Sequence, residues 1–82
     1  MNKVTRVSPL PHGHLRIELQ DGSSGEFDVN PYMTSEFFLE LKDNAYFQKV
    51  GLFFAGVGWP NGQDLGPDTL AASLKRSQTV AH

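Results

Sequence analysis

His14-Leu15-Arg16-Ile17-Glu18-Leu19-Gln20-Asp21-Gly22-Ser23-Ser24-Gly25-Glu26-Phe27-Asp28-Val29 decides the fold class. Leu15, Ile17 and Leu19 alternate with His14, Arg16, Glu18 and Gln20, the period-two pattern of a strand with one buried and one wet face. Asp21-Gly22 is a strong hairpin signal, and residues 21–25 read as the turn. Glu26-Phe27-Asp28-Val29 resumes the alternation with Phe27 and Val29 inward. Upstream, residues 3–8 read as a strand of imperfect period, with Val4 and Val7 apolar and Thr5 β-branched. Pro9-Leu10-Pro11-His12-Gly13 breaks it. The three runs predict an antiparallel meander.

Downstream, Asn30-Pro31 ends the meander. Residues 32–42 fit two readings equally: a short helix capped by Ser35 or Thr34 with Glu36 at its positive end, or an extended segment draped over the sheet. Asp43 predicts the N-cap of a short helix, with Phe47 its buried anchor and Lys49 near its C-terminus. Val50-Gly51-Leu52-Phe53-Phe54 reads as a strand, Ala55-Gly56 as a tight turn, and Val57-Gly58-Trp59 as the returning strand, stopped by Pro60. Gly66-Pro67-Asp68 opens a C-terminal helix. Pro67 suits its first position, Asp68 its first turn, and Lys75 and Arg76 its far end. Leu70 and Leu74 share one face.

The predicted fold class is α+β: a small single domain of residues 1–76, with residues 77–82 a disordered tail. It has about five mostly antiparallel strands in two groups, one or two short helices and a C-terminal helix. Leu15, Ile17, Leu19, Phe27, Val29, Phe47 and Leu70 are the expected core.

Composition narrows the function. A chain of 82 residues holds one domain. Six Phe, two Tyr and one Trp supply core area despite a modest apolar content of 39%. The absence of Cys excludes disulfides and thiolate chemistry, and suits a reducing compartment. A net charge of −2 argues against a nucleic-acid footprint. No apolar run reaches the ~18 residues of a membrane span, and no signal-peptide pattern opens the chain, so a cytoplasmic location is expected.

Constellations with chemical potential fall short. His12-Gly13-His14 offers two ligands where a metal site needs three or four. Asp21, Glu26 and Asp28 flank a Ser/Gly turn without the spacing of a calcium loop, and read as a solvated hairpin. Ser23 and Ser24 lack a nucleophile-elbow context, and Gly51, Gly56 and Gly58 lack a phosphate-cradling spacing. No catalytic residue, metal ligand or cofactor is expected. The remaining candidate is the stretch Trp59, Pro60, Asn61, Gly62, Gln63, Asp64, continuing to Pro67 and Asp68. Architecturally, Pro60 ends pairing, Asn61-Gly62 accepts positive φ, and Asp64 accepts backbone N–H groups. Functionally, Trp, amide and carboxylate form a rigid platform for a partner. Architecture is the favoured primary role, and the two readings are compatible.

The pattern resembles the bacterial domain-of-unknown-function family 2442. The resemblance rests on Leu15-x-Ile17-x-Leu19-x-Asp21-Gly22, Phe27-Asp28-Val29, Leu41-Lys42-Asp43-x-x-x-Phe47-x-x-Val50, and above all Gly58-Trp59-Pro60-Asn61-Gly62-Gln63-Asp64-Leu65-x-Pro67-Asp68-x-Leu70. It departs at residues 21–26, where Ser23-Ser24-Gly25 is extra. The resemblance implies a small protein of uncharacterised role. Some similar proteins are encoded beside another small protein, which implies a toxin–antitoxin-like pair. Others carry a helix-turn-helix domain that has no counterpart in these residues.

The expected function is therefore a non-enzymatic protein-interaction module, the neutralising partner of a small protein encoded nearby, with homo-oligomerisation open. The alternative is a transcription-associated regulator that acts on nucleic acid within a complex, using Lys3, Arg6, Arg16, Lys75 and Arg76 as a basic patch. A small-molecule-binding or enzymatic domain ranks third.

Overall fold

The computed structural model describes residues 2–76. Within them lie strands β1 (Val4–Leu10), β2 (His14–Leu19) and β3 (Ser24–Asp28), helix α1 (Asn44–Phe47), strands β4 (Gly51–Phe53), β5 (Gly56–Gly58) and β6 (Asp64–Leu65), helix α2 (Pro67–Ser73) and strand β7 (Lys75–Arg76). One sheet has the order β1-β2-β3-β7 and the other β4-β5-β6; every pairing is antiparallel. The fold is α+β, with the strands in two groups as expected. Seven strands replace about five, because β6 and β7, of two residues each, are additions.

The meander follows from its alternation. Leu15, Ile17 and Leu19 of β2 are buried, as are Phe27 of β3 and Val29 just after it. Leu15 lies opposite Phe27 and Ile17 opposite Val7, so the inward residues form cross-strand rows. The imperfect period of β1 has a physical cause. The register steps from Val4↔Leu19 to Arg6↔Glu18, which leaves Thr5 as the extra residue of a β-bulge. The bulge lets Val4 and Val7 face the core although three positions separate them. Pro9 does not end the strand as its residue type suggests. β1 is an edge, where a missing N–H is tolerated, and the break falls instead at the 3₁₀ turn Pro11–Gly13.

The turn between β2 and β3 is tighter than the five residues expected. Leu19 N–H donates to the Ser23 carbonyl at 2.8 Å, and Gly22 N–H to the Leu19 carbonyl at 3.0 Å. The loop is therefore Gln20-Asp21-Gly22, with Gly22 at φ 91° as the left-handed residue. Ser24 and Gly25 belong to β3. Asp21 Oδ1 accepts from Ser23 N–H at 2.9 Å and from Ser23 Oγ at 2.6 Å, which fixes the turn.

Of the two readings of residues 32–42, the short helix holds in part, as a 3₁₀ helix over Phe37–Lys42 without the expected side-chain cap. The segment is built from 3₁₀ turns at Asn30–Tyr32 and Phe37–Lys42. No side chain caps the second; the Ser35 carbonyl accepts from Phe38 and Leu39 N–H, each at 3.0 Å. Asp43 does cap α1, accepting from Ala45 N–H at 3.0 Å, and Phe47 is buried. Pro67 opens α2 as expected, but Lys75 and Arg76 do not end it. Leu74 turns extended and inward, and the chain leaves the helix to pair Lys75 with Glu26 and Arg76 with Gly25. Here sheet hydrogen bonding outweighs the preference of cations for a helix end. The tail expected over residues 77–82 lies outside the described residues.

One cluster of buried side chains joins both sheets. It runs from Val4, Leu15, Ile17 and Phe27 through Met33, Leu41 and Phe47 to Val57, Trp59 and Leu70. The seven residues expected in the core are all in it. Ile17 is fully enclosed, so Ile17→Ala is expected to lower stability in urea melts by about 2–5 kcal/mol. A loss below about 1 kcal/mol would mean that the cavity closes or that this face of the meander is not packed.

Candidate functional site: the Trp59–Asp64 turn and its polar clasp

The signature stretch is a hairpin loop with the same construction as the β2–β3 turn. Trp59 N–H donates to the Gln63 carbonyl at 2.9 Å, and Gly62 N–H to the Trp59 carbonyl at 3.0 Å. Pro60 and Asn61 are the corner residues, and Gly62, at φ 105°, is the left-handed residue that lets the chain return. Pro60 suits the first corner, where φ near −65° is wanted and no N–H is needed. The strand around it is displaced from expectation. β5 is Gly56–Gly58, so Trp59 lies beyond its end, and the preceding turn is Phe54-Ala55 rather than Ala55-Gly56. Position 56, within β5, must be glycine, because a Cβ there would stand 2.2 Å from the Leu65 carbonyl oxygen of β6.

From this loop the side chains diverge. Trp59 is only 5% exposed, and its indole packs on Phe47 with ring centroids 5.7 Å apart. Its Nε1–H donates to the Phe47 carbonyl at 2.9 Å, which occupies an acceptor at the end of α1. Pro60, Asn61, Gly62, Asp64 and Asp68 are exposed and Pro67 is half-buried. The Trp ring thus lies inside the protein, while the amide and carboxylates lie at its surface.

The residue that organises the site is Gln63, which is fully buried. Its Oε1 accepts from Tyr46 Oη at 2.7 Å, and its Nε2 donates to the Phe37 carbonyl at 3.1 Å and to Glu40 Oε1 at 3.0 Å. Tyr46 Oη in turn accepts from Asn61 N–H at 2.7 Å. Asn61 Nδ2 reaches both Glu40 oxygens, at 2.9 and 2.8 Å. The loop thereby clasps the Phe37–Lys42 turn and α1 through polar bonds, several of them shielded from water. Residue types alone single out Trp59 and Asp64. The signal for Gln63 is spacing: Gln63 and Leu65 share the inward side of a period-two strand, which places an amide in the core.

Asp64 differs from its expected role. It sits in β6 opposite Gly58, not at a helix start, and its carboxylate accepts no hydrogen bond among the described residues. The structural acceptor is Gln63 Oε1 instead. The histidines are also apart in role. His12 is exposed at φ 64°, whereas His14 lies on β2 with Nε2 3.7 Å from Asp28 Oδ1. Asp28 also accepts from Asn30 N–H at 2.9 Å and Nδ2 at 2.7 Å, which holds the end of β3. Among the described residues no three His, Asp or Glu side chains converge as metal ligands.

These contacts set an order of mutational effects. Gln63→Ala orphans the Tyr46 hydroxyl and the Phe37 carbonyl, each costing about 1–3 kcal/mol, whereas Asp64→Ala is expected to stay within about 0.5 kcal/mol of the parent. A double-mutant cycle of Gln63→Ala with Tyr46→Phe should show coupling of about 1 kcal/mol. Urea melts of the four proteins check this, and a larger loss for Asp64→Ala than for Gln63→Ala would overturn it. Gly62→Val should destabilise by roughly 1–3 kcal/mol, because its φ is left-handed; an unchanged urea midpoint would contradict that.

No curated protein and no solved structure matches the chain. A family model does, described as "Protein of unknown function (DUF2442)", and its match runs over residues 4–76, from the first residue of β1 to the last of β7. The clasped Trp59–Leu65 hairpin, the meander and α1 all lie within that span, and the chain belongs to the DUF2442 family.

Proposed function

We propose that the chain is a non-enzymatic protein-interaction module, the neutralising partner in a cytoplasmic, toxin–antitoxin-like bacterial pair. The observation that supports this reading is where apolar surface lies. Phe37, Leu39, Leu52, Phe53 and Phe54 project into solvent, in a chain with only 39% apolar residues to fill its core. Isolated exposed apolar residues are ordinary, but a consecutive run of three large ones is a docking signal.

The nucleic-acid alternative finds less support. Arg6 lies 3.9 Å from Glu18, and Arg16 is opposite Glu26 in the β2–β3 register. Two of the three arginines of that supposed patch, Arg6 and Arg16, thus have a carboxylate neighbour that competes with phosphate, and the whole chain is net negative.

The test is affinity purification of the tagged full chain from its native host. The expected result is one stoichiometric small protein, encoded beside it, that stays bound through size exclusion. Recovery of the chain with no stoichiometric partner would refute the reading. A mobility shift of DNA at low salt that fades steeply with added salt would favour the alternative.

A further inference from the structure

We propose that the tip of the β4–β5 hairpin is the docking element, and that it inserts into an apolar cleft with an acidic rim on the partner protein. This rests on the interaction-module reading and adds the surface and the chemistry that would meet it. Leu52, Phe53 and Phe54 are 56%, 42% and 83% exposed. The rings of Phe53 and Phe54 lie with centroids 4.5 Å apart, so they form one apolar unit rather than two separate side chains.

The backbone beneath them is costly. Phe53 pairs with Gly56, which leaves a two-residue loop of Phe54 and Ala55 at φ 45° and 68°. Such loops favour Asn-Gly, because both corners are left-handed. An aromatic side chain there adds strain, and Phe54 recovers little of it by burial, since most of its ring is in water. Strained residues of this kind cluster where ligands bind. The strained geometry is also held. Val4 N–H donates to the Ala55 carbonyl at 2.8 Å and ties the tip to the start of β1.

Size and charge select the occupant. Two rings of about 150–250 Å² each and the Leu52 side chain, exposed to the extents given, leave the three-residue tip with roughly 300–400 Å² of apolar surface. That is about half of the ~800 Å² per partner of a stable interface. Two copies meeting tip to tip would set convex surface against convex surface and leave part of each tip in water. A concave cleft encloses the same knob from several sides. Lys3 lines the groove of about 400 Å³ beside Leu52, Phe53 and Phe54, and no carboxylate pairs with it among the described residues. In a symmetric pair of tips two Lys3 ammonium groups would approach each other. On a partner, the complementary arrangement is a rim of Asp or Glu.

The experiment places a photoreactive benzoylphenylalanine at position 54 of the full chain in the native host, with position 20, in the β2–β3 turn, as control. The expected result is an adduct to one protein from position 54 and none from position 20. That protein, purified, is then titrated with the parent chain, Phe54→Gly and Lys3→Glu. Phe54→Gly should raise the urea midpoint, since it relieves a left-handed Phe, yet weaken binding by about 30-fold or more, as loss of a central aromatic anchor does. Lys3→Glu should weaken binding several-fold, with the difference shrinking as salt rises. A gain in stability together with a loss of binding is not what a purely structural role would give.

Four results would overturn the proposal: adducts between two copies of this chain, flotation of the chain with phosphatidylglycerol vesicles through Phe54, no adduct at position 54, or equal affinity for Phe54→Gly. If the parent chain purifies with a partner but Phe54→Gly binds it equally, the tip assignment fails and the interaction-module reading stands. If the parent chain has no partner, the module reading is what fails.

Discussion

A side-chain amide with no access to water must find partners for both its ends, and the Gln63 amide finds three of them on two separate elements of the chain. Tyr46 comes from α1, while the Phe37 carbonyl and Glu40 come from the turn before it. That turn has few other means of attachment. Leu41 is buried and Phe38 packs partly against the core, but Phe37 and Leu39 face solvent, and the repeat is 3₁₀, whose hydrogen bonds are weaker than those of an α-helix. Residues 37–42 are therefore held by polar geometry as well as by the apolar contacts of Phe38 and Leu41. Net gains from such bonds are small, but the penalty for leaving them unmade inside the protein is large, so the arrangement is specified more by what it avoids than by what it gains.

Much of the fold is legible in the residues, for identifiable reasons. Alternation in β2 and β3 is strict because one face is sealed and the other wet, and Asp43 caps α1 with the bond its residue type suggests. The imperfect period of β1 was itself informative, since a bulge at Thr5 is what brings Val4 and Val7 to one side. The misreadings share a cause: local preference yielded to tertiary contact. Lys75 and Arg76 suit a helix end but meet the open edge of β3. Phe54-Ala55 is a poor turn by residue type, and the glycine beside it is needed in β5, where the Leu65 carbonyl leaves no room for a Cβ.

The candidate site was legible in a different way. Its glycine, its proline and its family signature point to the right loop, and Gly62 has the positive φ that an Asn-Gly pair advertises. Which side chain matters inside that loop depended on facing. Trp59 and Gln63 are brought opposite each other by the loop closure and both point inward, whereas Asp64 points out. Exposed aromatic residues outside the signature, at the β4–β5 tip, carry no motif at all. Their distinction is the mismatch between an apolar strand end and water, which only coordinates reveal.

The pairing of β3 with β7 also has a consequence for the order in which the chain assembles. Gly25 meets Arg76, whereas Ile17, the neighbour of Gly25 on its other side, is only a short hairpin away. During synthesis at about 5–20 residues per second, β2 and β3 can close as soon as both have left the ribosome, but the outer ladder of β3 stays open until the C-terminal strand arrives several seconds later. Over that interval β3 is a free edge with an apolar face, the kind of surface that recruits another chain's strand. Glu26 and Asp28, which alternate outward along it, place charge on that edge during the wait. On this view Glu26 and Asp28, which in the finished protein lie opposite Arg16 and hold Asn30, also guard an intermediate, and part of their value lies in the seconds before the sheet is complete.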